Sequence, residues 1–170
     1  MAIATAEKLI VVGIDDSDQS TLEWALEHFF VPFGSNSIFK LVVVHAKPSS
    51  SSFVGHSGPG AADVVAIVDV DLRKTSKRAL EKAKEICIAK SVNMDDVIFE
   101  VMEGDPRKVM CEAVERHRAT ILVVGSHGYG AVKRALLGSV SDYCAHHAHC
   151  NVMIVKKPKT TSSLWNIFSL

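Results

Sequence analysis

Two clusters of small residues hold the clearest chemistry in this chain: Gly125-Ser126-His127-Gly128 and, after an interval of nine residues, Gly138-Ser139-Val140-Ser141. The first follows Ala119-Thr120-Ile121-Leu122-Val123-Val124, a run of apolar β-formers, and precedes a helical pattern. Glycines at such a place let the backbone close on a phosphate, and free N–H groups at a helix start attract anions. The spacing is not the G-x-G-x-x-G of a dinucleotide-binding turn. Nor is it a Walker A loop, because no Gly-Lys-Ser/Thr follows. It is a third way of cradling phosphate, to which Ser139 and Ser141 add hydroxyl donors. Lys133 and Arg134 fall inside the interval and read as solvated surface side chains, the usual place for them.

Asp15 is the next candidate. It stands after the apolar run Lys8 to Ile14 and before Asp16, Ser17 and Asp18, each of which can cap a following helix. With capping left to Asp16 and Asp18, Asp15 reads as a ligand contact. His127 has the titration range of a general base, yet no Ser-His-Asp or Cys-His pairing is legible around it, so it reads as a backbone contact. The tract His146-His147-Ala148-His149-Cys150 suggests a metal by composition alone. Structural zinc takes four ligands in spaced pairs, and adjacent histidines point to different sides of a helix, so no metal ligand is assigned. Glu112, Glu115, Arg116 and Arg118 read as the wet face of a helix, and Cys87 and Cys111 as inert members of apolar faces. No residue is assigned a catalytic role.

Five strands are expected to position these groups: Lys8 to Ile14, Ile38 to Ala46, Val97 to Met102, Ala119 to Val124 and Asn151 to Val155. Between them lie a helical period from Leu22 to Phe30, stopped by Pro32 and Gly34, and a long amphipathic helix from about Ala62 to Lys90. A third helix is capped by Gly104-Asp105-Pro106 and turns Val109, Met110, Ala113 and Val114 inward; a fourth runs to about His147. Lys47 to Gly60, rich in Ser, Gly and Pro, reads as a loop. Strands alternating with helices imply an α/β fold: a three-layer α/β/α domain with a five-stranded parallel doubly wound sheet, Rossmann-like. Ligands of such sheets sit beyond the carboxyl ends of the strands, where strand order reverses. Asp15, Ala46 and Gly125 all stand at strand carboxyl ends, so three remote features converge on one crevice.

Composition agrees. Hydrophobic residues make up 48% of the 170 and aromatic residues only 6%, which calls for a Val, Ile, Leu and Ala core. Nineteen basic residues balance nineteen acidic ones, leaving no electrostatic footprint for nucleic acid or an anionic membrane. The four cysteines form no C-x-x-C pair, no secretory or membrane-spanning run is legible, and Ala2 excludes N-myristoylation. The expectation is a soluble cytoplasmic protein with reduced thiols. One domain, residues 1–158, accounts for everything but the segment 159–170. That tail carries Leu164, Trp165, Ile167, Phe168 and Leu170, and reads equally as a docking segment and as a frayed end.

Over roughly residues 7–157 the chain resembles the universal stress protein family. The resemblance rests on Val-Gly-Ile-Asp-Asp-Ser after the first strand, Val-Val-His-Ala at the second, and the motif G-x2-G-x9-G-S at Gly125, Gly128, Gly138 and Ser139. Arg134 to Ala145 and Val152 to Lys157 look like the plant members. The resemblance implies an adenine nucleotide alpha hydrolase-like fold that binds ATP or AMP. By position, Gly13, Ile14 and Ala46 would line the base with Val124 beside it, and Asp15 would bond the ribose or adenine side. Gly125, His127 and Gly128 would hold ribose and the first phosphate; Gly138, Ser139, Val140 and Ser141 would cradle the outer phosphates, with Mg2+ or Mn2+ there. It also implies a homodimer through Asn151 to Val155, a strand expected at the sheet edge, where exposed backbone invites pairing until Pro158 removes a donor.

Three functions follow as expectations: an ATP-dependent sensor or regulator in the stress response without catalysis, a slow ATP hydrolase or phosphoryl-transfer enzyme, and a receiver-like phosphoacceptor. Phosphoryl transfer needs metal carboxylates, a lysine and a water-orienting group, of which only Asp15 and His127 offer parts. The receiver reading lacks an aspartate directly after the third strand, where Val101-Met102-Glu103 stand. The first function is therefore the leading one.

Overall fold

A computed structural model describes residues 8–34, 37–50, 61–126 and 137–156. The chain runs β1 (Lys8–Ile14), α1 (Ser20–Phe29), β2 (Phe39–Lys47), α2 (Ala61–Ala89), β3 (Val97–Glu103), α3 (Pro106–His117), β4 (Ile121–Gly125), α4 (Ser139–His147) and β5 (Asn151–Val155). The five strands form one parallel sheet in the order β3-β2-β1-β4-β5. This is the expected doubly wound α/β architecture, with small shifts of boundary. Strand β2 runs from Phe39 to Lys47, one residue later at each end, β3 ends at Glu103 rather than Met102, and β4 runs from Ile121 to Gly125 rather than from Ala119 to Val124. Arg118 ends α3 in a left-handed conformation, φ 50°, and Ala119 N–H still bonds back to the Val114 carbonyl, so the chain is turning there.

Period-two alternation divides each strand between two cores. Ile10, Val12, Leu41, Val43 and Val123 pack with Leu22, Ala25 and Leu26 of α1 and Ala79, Ala83 and Cys87 of α2. Val11, Val42, Val44, Leu122 and Val124 pack on the other face with Val109, Met110, Ala113 and Val114 of α3 and Cys144 of α4. Aliphatic residues thus fill both interiors, as the composition requires.

This winding sets where strand order reverses. The chain steps from β1 to β2 to β3 through α1 and α2 on one face, then α3 carries it back across the other face to β4. Strand order therefore reverses between β1 and β4. The β1–β2 ladder continues to Ile14 opposite His45, whereas the β1–β4 ladder ends at Val12 opposite Val123. Strand β5 is an edge of the sheet, as expected, paired with β4 from Asn151 to Val155. The carboxyl half of α2 buries Ser76, Ala79, Ala83 and Cys87, while Val64, Ile67 and Val70 in its amino half are exposed. Among the described residues no helix is long and apolar enough to cross a membrane.

Candidate nucleotide site

The helix that begins at Ser139 is entered through Gly138, whose φ of −74° and ψ of 157° are open to any residue. Helix geometry leaves the N–H groups of Ser139, Val140 and Ser141 without an intrahelical acceptor, and the aligned peptide dipoles place partial positive charge there. Ser139 is exposed and Val140 half-buried. Ser141 differs from expectation: its side chain is fully buried and its Oγ donates to the Gly138 carbonyl at 2.9 Å. The hydroxyl closes the first turn of α4, so what Ser141 offers a ligand is its amide.

Opposite α4 stands the β3–α3 turn. Gly104 has a φ of 146°, a torsion that side chains rarely adopt, and its N–H bonds the Lys47 carbonyl at 2.9 Å. Asp105 caps α3 by accepting from Arg107 N at 2.9 Å, with Pro106 in the first helical position, as the sequence indicates. A cavity of about 410 Å³ opens between this turn, Pro48 and Ser49 after β2, and Ser139 and Val140 of α4. Its size is that of a small-molecule site.

The residues expected on the base side divide by face. Ala46 and Val124 belong to the α3–α4 side, and a Cβ built on Gly13 would meet Met110 Sδ at 2.8 Å and Val124 Cγ1 at 3.5 Å. Gly13 therefore makes room for a thioether from α3, and neither it nor Ala46 nor Val124 lines the cavity itself. Ile14 lies on the opposite side. Its side chain is buried in the α1–α2 core, and its carbonyl faces His45 Nδ1 at 3.3 Å, so only its backbone is near the crevice. Gly125 ends β4 opposite Val155, and the buried Ser126 follows. His127 and Gly128 lie outside the described residues, as do Lys133, Arg134, Pro158 and the tail.

Asp15 is less free than its capping neighbours suggested. Its Oδ1 accepts from Ser17 N at 3.0 Å and Ser17 Oγ at 3.2 Å, while its carbonyl accepts from Gln19 Nε2 at 2.8 Å. Burial pushes the carboxyl up, but bonds from Asp16 and Ser17 outweigh it and hold Asp15 below the ordinary range. Asp16 is pushed up, first by its hydrogen bond to Asp15, then by burial and by its neighbour's charge. Helix α1 begins after Gln19, which makes no side-chain cap, and Asp18 Oδ1 accepts from Ser20 N at 3.0 Å. Asp18 thus serves the helix start as expected. Asp16 does not, because it turns to Asp15 instead.

A group the sequence did not reveal sits beside the cavity. Lys47, read as the start of a loop, is the buried last residue of β2, its side chain 8% exposed, with Nζ 2.7 Å from Asp69 of α2 and 2.9 Å from Glu103 of β3. Hydrogen bonds to these carboxylates raise its pKa, and Lys47 in turn lowers theirs. This ties the amino half of α2 to the strand ends; no local signal marks it, since Lys47 and Asp69 are 22 residues apart. Among the described residues, no group of three or more His, Cys, Asp or Glu could hold a metal.

The family model described as the universal stress protein family matches residues 7–156. The chain belongs to the universal stress protein family. A universal stress protein of Arabidopsis thaliana is 32% identical over 175 residues, a match covering 91% of this chain and 64% of that relative's length. The chain thus spans about two thirds of that relative. Two solved structures share the fold. A universal stress protein family protein from Arabidopsis thaliana with AMP bound superposes with a TM-score of 0.62 at 23% identity, covering 89% of this chain and 93% of its own. A universal stress protein in complex with cAMP gives 0.60 at 26% identity, covering 87% and 96%. Within this universal stress protein, the glycine-bounded start of α4 and the β3–α3 turn are the two walls that face each other across the cavity.

Proposed function

We propose that this universal stress protein binds an adenine nucleotide at the carboxyl edge of its sheet, with ATP as the resident ligand, and acts as a nucleotide-dependent sensor or regulator in the cytoplasmic stress response. The observation that carries this reading is the start of α4, which no side chain caps, lining a cavity of about 410 Å³ with Ser139 and Val140. The AMP and cAMP bound by the two solved relatives support the choice of adenine nucleotide. Ala46, Val124 and Gly13 then floor the base, Asp15 bonds the ribose side, and Gly125, His127, Gly128, Gly138, Ser139, Val140 and Ser141 follow the phosphates. A magnesium or manganese ion arriving with ATP would offset the phosphate charge, since no carboxylate cluster among the described residues would hold one by itself.

Denaturing the purified protein and weighing the released small molecule tests the reading. ATP is the expected mass. AMP would retain the site and displace ATP as resident; a flavin, or no ligand together with no affinity for added nucleotide, would overturn the proposal. The protein is further proposed to pair through the exposed edge of β5 as a homodimer. Sedimentation is expected to return twice the chain mass, and a monomer would refute it.

A further inference from the structure

We infer that Arg107 is a phosphate-binding and specificity-determining residue of this site, reaching the ligand's outer phosphates from the wall opposite α4. The inference rests on the nucleotide reading above and adds a residue that lies outside the glycine motif.

Three observations carry it. First, among the described residues lining the cavity, Arg107 is the cationic one, and it stands in the first turn of α3 across from Ser139 and Val140. Second, its guanidinium lies 5.9 Å from the ring centroid of Tyr143. Tyr143 is one helical turn beyond Ser139, so the cation is held beside the first turns of α4, where the phosphates of a bound nucleotide would sit. Third, Arg107 is held in place without being sequestered. Its Nη2 is 2.5 Å and its Nε 3.0 Å from Asp105, yet its side chain remains 49% exposed.

The chemistry suits a phosphate. A guanidinium presents several donors in a planar fork, of which Asp105 takes one edge, leaving donors for phosphate oxygens. Asp105 also accepts from the Arg107 backbone, so the residue that caps α3 aims the side chain too. The amides of α4 supply fixed partial positive charge from one wall, and Arg107 supplies a full charge from the other. Each added phosphate on the ligand increases the reward, which makes the residue a determinant of phosphate number.

The test compares Arg107→Ala and Arg107→Lys with the unaltered full chain in calorimetric titrations against ATP and adenosine. Thermal melts without ligand confirm that each variant is folded. For Arg107→Ala the expected result is a loss of ATP affinity of about tenfold, as for one charge-assisted contact, with adenosine affinity unchanged. Arg107→Lys keeps the charge without the fork and is expected to fall between. Equal losses for ATP and adenosine would overturn the inference, since Arg107 would then act on the base side or on the cavity's shape. Unchanged ATP affinity would overturn it as well. If Arg107→Ala fails to fold, the Lys variant decides: ATP affinity equal to the unaltered chain's would overturn the inference. If the unaltered chain binds neither ligand, the nucleotide reading itself fails and takes this inference with it.

Discussion

Replacing Gly138 with glutamate is expected to weaken ATP binding at least about a hundredfold while leaving the fold intact. The torsions of Gly138 are ordinary for any residue, so the backbone accepts the change without strain. An acidic side chain at a helix start is even mildly favourable, by about 0.3–1 kcal/mol, through the helix dipole. In the proposed site the same carboxylate would stand where phosphate oxygens approach. Two unit charges of like sign about 4 Å apart repel by roughly 4 kcal/mol at an effective dielectric near 20, which exceeds what a hundredfold loss requires. Titration with ATP measures the loss, and thermal melting separates it from unfolding. A variant that binds ATP as the unaltered chain does would remove the phosphates from the start of α4.

Leu122→Ala is expected to destabilise the protein by about 2–5 kcal/mol, a large part of the roughly 5–15 kcal/mol that holds a typical domain together. Leu122 is fully buried on β4, between Val11 of β1 and Val152 of β5, in the core beneath α3 and α4. Truncating it removes apolar contacts and leaves a void that its rigid strand neighbours cannot close. Urea denaturation measures the change. The exposed Ile67 on α2 provides the contrast: Ile67→Ser is expected to shift stability by less than about 0.5 kcal/mol. A Leu122 variant as stable as the Ile67 variant would contradict the packing described.

Much of this architecture is legible in the sequence because its signals are local. Asn151 to Val155 reads as a strand and is one, and Asp105-Pro106 reads as the start of α3 and is one, with the aspartate accepting from Arg107 N. The start of α1 carries no such local mark. Three consecutive residues are able to cap it, and the pairing of the Asp15 and Asp16 carboxylates leaves that place to Asp18. Lys47 is marked less clearly still. As a lysine before Pro48 and several serines it looks like a loop residue, and its burial depends on carboxylates from α2 and β3.

The sequence by itself determined the five strands, the four helices, the aliphatic character of both cores and the small-residue motif after β4. These follow from periodicity, capping and the absence of Cβ atoms, all of which act within a few residues. Only the tertiary structure decided which residues share a wall. The thioether that Gly13 accommodates and the stance of Arg107 against Tyr143 depend on the return of α3 across the sheet. That crossover joins strands far apart in the chain, so its consequences lie beyond the reach of any local pattern.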